Sequence, residues 1–230
     1  IPPEISRERG RECLEVILRL WTGEPVTFKG KYHELNEVAI RPIPTQKPHP
    51  PIWWPGQSPE TLDHIARGGY NWMSASTLAT VATIVERRQR LAELLQGYGR
   101  SIDDIGIYIH VPTCVANATY DELRQATEPG IRWFRRSAMW YTAGSTPGGG
   151  TIYRPGGAEA PFDFASFYDN DSFFGDPETC YRKIEGLWQA LRPTDLVLLF
   201  QMGQSQEQLF KSMELFAREV MPRVRSLEAL

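Results

Sequence analysis

Apolar positions along this chain recur in two periods that alternate. Over residues 6–20, Cys13, Val16, Ile17, Leu20 and the following Trp21 fall at helical spacing with Arg and Glu between them, which predicts an amphipathic helix. Thr22-Gly23-Glu24-Pro25 stops it. Residues 26–28 and 32–35, around Gly30, suggest a small hairpin, and residues 38–43 a short strand. Lys47 to Pro51 is too proline-rich for a helix or a central strand, because each Pro fixes φ and removes a donor.

The next stretch is the best organised. Ile52-Trp53-Trp54 is a short strand-like run, broken by Pro55-Gly56-Gln57-Ser58. Ser58, Pro59 and Glu60 make a helix start: a hydroxyl cap, Pro at the first helical position and an acid in the first turn. Leu62, Ile65 and Ala66 share one face of that helix, and Gly68-Gly69 ends it. Residues 70–75 then read as a strand, so the whole is the size of a parallel βαβ unit. Trp53 and Trp54, being adjacent in a strand, face opposite sides.

Helix and strand continue to alternate. Ser76-Thr77 can cap a helix over 78–95, with Val81, Ile84, Val85, Leu91 and Leu95 inward. Residues 105–116 alternate as a strand, and 120–137 follow as a helix. From 139 to 174 periodicity fails, with Gly148-Gly149-Gly150 and Pro155-Gly156-Gly157 among many aromatics. That length suits a mobile active-site lid or an oligomer contact rather than an ordinary connection. Asp176 and Pro177 open a further helix carrying Tyr181, Ile184, Leu187 and Trp188. Asp195 to Phe200 is the clearest buried strand, and 207–220 the last helix, with Leu209, Phe210, Met213, Phe216 and Val220 inward. About four parallel strands, alternating with helices, imply an α/β fold, either part of a barrel or a small open doubly wound sheet.

Composition narrows the function. The 230 residues are 41% hydrophobic with a net charge of −3, enough for one sizeable core and without the basic footprint of a nucleic-acid binder. No apolar run approaches membrane-spanning length. Cys13, Cys114 and Cys180 are an odd, widely spaced set that argues for a reducing, cytoplasmic setting, and neither they nor His33, His49, His64 and His110 have metal-ligand spacing. The start at Ile1-Pro2-Pro3, running straight into a helix, suggests a chain cut from something longer.

The candidate chemistry lies in the turn before the 59–68 helix. Gly56 beside Gln57 and Ser58 lets N–H groups point outward at a helix N-terminus, where partial positive charge favours an anion such as phosphate. Thr61 stands near enough to add a hydroxyl. Ser58 is also explained as a plain N-cap, and on local sequence alone that is the commoner case.

Several runs together resemble the bacterial luciferase-like flavin monooxygenases: Ser6-Arg7-Glu8-Arg9, Leu20-Trp21-Thr22-Gly23, Val26-Thr27-Phe28, Gln46-Lys47-Pro48-His49-Pro50-Pro51-Ile52-Trp53, Ser58-Pro59-Glu60-Thr61, Ile65-Ala66-Arg67-Gly68-Gly69, Gly175-Asp176-Pro177-Glu178 and Phe216-Ala217-Arg218-Glu219-Val220-Met221-Pro222. They cover the chain apart from 139–174. The resemblance implies a TIM-type (β/α)₈ barrel, of which residues 1–230 would be the C-terminal part of a single domain holding strands five to eight, with 139–174 as the lid. It implies reduced FMN, or in one branch F420, at the C-terminal mouth, with the phosphate at Gly56, Gln57, Ser58 and Thr61. Reduced FMN would activate O₂ as a C4a-peroxyflavin that oxygenates a small organic substrate, and a separate NAD(P)H:flavin reductase would supply it. A homo-oligomer is implied as well. The family's active-site histidine lies upstream of this chain, so none of its four histidines inherits that role and the catalytic residues stay unassigned. Alternatives are an F420-dependent hydride-transfer oxidoreductase, a shortened non-catalytic flavin-binding protein, and a barrel fragment for another phosphorylated ligand.

Overall fold

The computed structural model describes residues 3–142 and 162–227, with side chains over 5–135 and 162–227. The middle of the expected lid, 143–161, lies outside the described residues. The chain forms two compact units, Ile1–Ile52 and Trp53–Leu230.

The first unit is a helix, α1 (Pro3–Leu20), and an antiparallel hairpin of β1 (Val26–Lys29) and β2 (Glu34–Val38). Glu12 of α1 joins them. Its carboxylate accepts the N–H groups of Lys31, Tyr32 and His33 at 2.7, 2.9 and 2.7 Å, and faces His33 Nδ1 at 2.9 Å. A Cβ on Gly30 would stand 2.5 Å from the Glu12 carboxyl carbon, so a larger residue there would push this carboxylate aside. The strand expected over 38–43 does not form. β2 ends at Val38, and Pro42 and Pro44 follow shortly after.

The second unit is a parallel sheet with helices. In chain order it runs β3 (Trp53–Pro55), α2 (Pro59–Gly68), β4 (Asn71–Ala75), α3 (Val81–Gly97), β5 (Ile107–Val115), α4 (Tyr120–Thr142), α5 (Phe164–Asn170), β6 (Phe173–Gly175), α6 (Pro177–Leu191), β7 (Asp195–Leu199), α7 (Gln206–Leu215) and α8 (Met221–Arg225), with one π turn over Phe216–Val220. The four expected strands are all present and parallel. β6 is additional, and at three residues it is too short to carry a period.

β5 is the spine. Its even residues bond toward β4, with Gly106 O accepting from Trp72 N and His110 O from Ser76 N; farther on, Ala116 N donates to Gly175 O of β6 on that same edge. Its odd residues bond toward β7: Ile107 O accepts from Thr194 N. Val115 N, with no strand left to meet, donates to the Ser212 hydroxyl of α7 at 2.7 Å. β6 therefore prolongs the edge that β4 vacates, and the order across the sheet is β3, β4 then β6, β5, β7. Among the described residues the sheet is open at β3 and β7 and does not close into a barrel.

The two sheet faces differ. Trp72, Ile107, Ile109 and Val111 point into a cluster with Leu62, Ile65, Leu91, Leu95, Ile184 and Leu191 from α2, α3 and α6. Register then puts Trp53, Met73, Ala75, Tyr108, His110 and Val197 on the opposite face. A second cluster around Cys114, Phe164, Phe167, Phe174 and Met202 sits near the C-terminal end of β5. One expectation fails in α7. Phe210 and Met213 are 56% and 45% exposed, while Ser212 and Phe216 are buried. The bond from Val115 N to Ser212 selects the face of α7 that turns inward.

Candidate functional site

Gly56, Gln57, Ser58 and Thr61 come together where β3 ends and α2 begins. Ser58 has extended backbone and caps α2: its hydroxyl accepts from Thr61 N at 3.2 Å and lies 2.9 Å from Thr61 Oγ1. Gly56 has φ +126°, and a Cβ there would meet Thr61 Cγ2 at 3.0 Å, so both backbone and space demand glycine. The turn is anchored from below. Trp72 Nε1, fully buried, donates to Gly56 O at 2.7 Å, and Gln57 Nε2 donates to Ser74 Oγ at 2.7 Å. The Gln57 side chain is thereby committed to the fold.

The N–H groups of Gln57 and Ser58 find no acceptor among the described residues, and they stand beside the positive end of a ten-residue helix. This fits an anionic group: two free N–H donors plus the half-buried Ser58 hydroxyl. Thr61 is buried and already paired with Ser58, so it supports the Ser58 rotamer more than it reaches outward. The cap and phosphate readings of Ser58 are compatible, because capping uses its lone pairs and leaves its N–H free.

The histidines separate clearly. His33 faces Glu12, His49 Nδ1 contacts Pro50 O, and His64 packs between Trp54 and Tyr70. His110 alone lies on the sheet face away from the helices, half-buried, and burial pushes its imidazole below the ordinary histidine range. Trp54 belongs to the helix side and Trp53 to the open side, where its ring meets Tyr108 edge-on at 6.2 Å.

The loop after β4 at the same end of the sheet is fastened to the segment that leads into β6. Ser76 Oγ donates to Asp171 O at 2.7 Å, and Asp171 Oδ1 accepts from Val81 N at 2.6 Å, at the start of α3. Burial raises the Asp171 carboxyl above the usual carboxylate range, against the Val81 N–H and Arg135, which lower it. Lys183 Nζ donates to the carbonyls of Tyr168 and Phe174 and sits over the Tyr168 ring. No local pattern signals these contacts, since Asp171 and Ser76 are 95 residues apart.

A cleft of about 600 Å³ lies elsewhere, between α4 and α7, lined by Asn117, Gln125, Gln204, Gln208 and Lys211 among others. Three of these side chains are already in use. Gln204 bonds Met202 N and Phe200 O, Gln208 completes the α7 cap with Ser205, and Lys211 pairs with Glu207. The Gly56–Thr61 turn is the better candidate, because its spare backbone donors stand at the positive end of a helix. No group of three or more His, Cys, Asp and Glu able to hold a metal occurs among the described residues, and none of their helices is long and apolar enough to cross a membrane.

Comparison with known proteins bears on the fold and the family. The pyrimidine monooxygenase RutA of a Bradyrhizobium strain is 30% identical over 99 residues, which are 43% of this chain and 26% of that protein. The FMNH₂-dependent dimethylsulfone monooxygenase of Pseudomonas putida is 30% identical over 59 residues, 26% of this chain and 16% of that one. Among solved structures, monooxygenase RslO1 from Streptomyces bottropensis superposes with a TM-score of 0.75 at 21% identity, over 97% of this chain and 63% of that one. An F420-dependent secondary alcohol dehydrogenase, solved with an F420-acetone adduct, gives 0.72 at 18% identity with the same coverage. The chain thus spans less than two thirds of these proteins, and the likeness to the solved structures shows a shared fold. The model of the luciferase-like monooxygenases matches residues 1–194, and the chain belongs to that family.

Proposed function

We propose that this chain is the flavin-holding part of a monooxygenase that uses reduced FMN and O₂ to oxygenate a small organic substrate. The observation that carries the reading is the Gly56-Gln57-Ser58 turn, with two unbonded N–H donors at the N-terminus of α2, in a member of the luciferase-like family. The Gln57 and Ser58 N–H groups and the Ser58 hydroxyl hold the ribityl phosphate. Thr61 fixes Ser58, and Trp72 and Ser74 fix the turn. When bound, reduced FMN supplies the electrons that activate oxygen. The protein positions it and keeps water away, for which the aromatic cluster at Phe164, Phe167 and Phe174 is suited.

FMN is preferred over F420 because the dimethylsulfone monooxygenase is named for FMNH₂. The catalytic groups are assigned outside this chain. A separate NAD(P)H:flavin reductase as supplier of the flavin, a cytoplasmic location and a homo-oligomeric state belong to the same proposal.

The test is an anaerobic titration with reduced FMN and, in parallel, F420. Ser58→Gly removes the hydroxyl but costs the cap only a few tenths of a kcal/mol. It is expected to weaken FMN by about tenfold, the worth of one charge-assisted hydrogen bond. Tighter binding of F420 would move the reading to hydride transfer without oxygen. Failure of both would end the flavin assignment.

A further inference from the structure

The sheet face away from the helices carries a histidine without a hydrogen-bond partner among the described residues. In β5, Ile107, Ile109 and Val111 point into the helix-side core, and Tyr108 and His110 point away from it. The Tyr108 ring rests against Trp53. The His110 side chain makes no hydrogen bond, ion pair or ring contact among the described residues. Its cross-strand neighbours are Ala75 on β4 and Val197 on β7, so its row offers it no polar partner and, on the Ala75 side, leaves room beside it. Its ring nitrogens are not among the sealed, unpartnered polar atoms, so they are open to a ligand. His110 also lies toward the C-terminal ends of the strands, where parallel sheets place their ligands.

The ladder fixes where His110 stands relative to the turn. Pro55, Met73 and Tyr108 share one row, and Ala75 and His110 share the row two residues farther along. With strands ~4.8 Å apart and a rise of ~3.3 Å per residue, the His110 Cα lies ~12 Å from that of Pro55, the residue before Gly56. The ribityl phosphate arm of a flavin bridges a gap of this order. A phosphate anchored at Gln57 and Ser58 would bring the ring system over the Ala75–His110–Val197 row.

We propose that His110 is a ligand-contacting residue: its imidazole makes one hydrogen bond to the polar edge of the flavin ring whose phosphate sits at the Gly56–Thr61 turn. The inference rests on the flavin reading above and adds to it the residue that meets the ring. Because burial disfavours the imidazolium, the group meets the ring as a neutral imidazole near pH 7, able to donate from one nitrogen and accept at the other.

Nitrogen-15 NMR of the histidine side chains, with the His110 signal assigned from a His110→Gln sample, tests this while separating it from the flavin reading. Two ligands are compared, reduced FMN and inorganic phosphate. Both are expected to shift the Gln57 and Ser58 amides, and only FMN to shift the His110 ring nitrogens. His110→Ala is expected to weaken FMN about fivefold, the usual worth of a neutral hydrogen bond, and to leave phosphate unchanged. His110→Gln, which keeps a donor and an acceptor, should recover most of the loss. FMN that moves the amides of the turn but not His110, with His110→Ala binding as tightly as the parent, overturns this inference and leaves the flavin reading standing. FMN that moves His110 alone removes the phosphate from the turn and overturns the inference as stated, since the contact depends on that anchor. If FMN does not bind at all, both fall together.

Discussion

Gly130 lies inside α4, directly after Pro129, and α4 approaches the turn after β7 so closely there that no side chain fits. A Cβ on Gly130 would stand 2.3 Å from Met202 O, 2.5 Å from Met202 C and 2.7 Å from Gly203 N. These are backbone atoms, so no rotamer change relieves the contact, and α4 or the 202–203 turn must retreat by most of an ångström. Overpacking of this kind costs up to ~3 kcal/mol. Against it, Ala is the better helix former by ~1 kcal/mol, which leaves a net loss of ~2 kcal/mol for Gly130→Ala. Gly186 supplies the control. It sits mid-way along α6 with nothing within 4 Å of its would-be Cβ, so Gly186→Ala should gain the propensity term alone, ~1 kcal/mol. Thermal unfolding followed by tryptophan fluorescence reads both. At this chain length the pair should differ by roughly 6–12 °C in Tm. Equal stability of the two variants would show that α4 does not press on Met202 and Gly203 as described.

Three further outcomes follow from other sites. Trp72→Phe removes the donor to Gly56 O from a fully buried position and should cost ~2 kcal/mol, the penalty for an orphaned carbonyl; it should also weaken FMN in the anaerobic titration, although Trp72 lies under the turn, and unchanged affinity would show that the turn holds its shape unaided. Burial raises the Asp171 carboxyl, so its ionised form burdens the fold: stability from this group is fully present below the unfolded pKa and is lost as pH rises through the folded one. Asp171→Asn, which keeps an acceptor for Val81 N, should therefore equal or exceed the parent in urea midpoint at pH 7, and the advantage should vanish by pH 4; a large loss at pH 7 would refute this. The Cys114 and Cys180 thiols are buried and pushed up to about 11 and about 12, so at pH 8 a disulfide reagent should titrate Cys13 first and the other two only after denaturant is added.

The sequence made the βαβ unit from Trp53 to Ala75 legible because every signal in it is local. Ser58 caps its own helix, Pro59 follows at the first position, and Gly69 ends it with φ +65°. The candidate turn was legible for the same reason. Misplaced elements are those settled by distant partners. Ser76-Thr77 looks like the cap of α3, yet the cap is Thr80, because the Ser76 hydroxyl is spent on Asp171 O and Thr77 is wholly buried. Phe210 and Met213 look like core positions, and a hydroxyl on the neighbouring Ser212 decides otherwise. His110 was visible as one of four histidines, but the face it occupies became definite only through the register of β4, β5 and β7.

β5 bonds to neighbours on both edges, and its odd and even residues divide fold from open face. A slip of one residue would have to break both ladders at once, so the alternation is held twice over. The strand can therefore be edited like type set in a locked frame. Exchanges at 108 and 110 alter the face away from the helices, while 107, 109 and 111 keep the helices in place. Proteins that share this frame can diverge in what they accept without renegotiating how they fold.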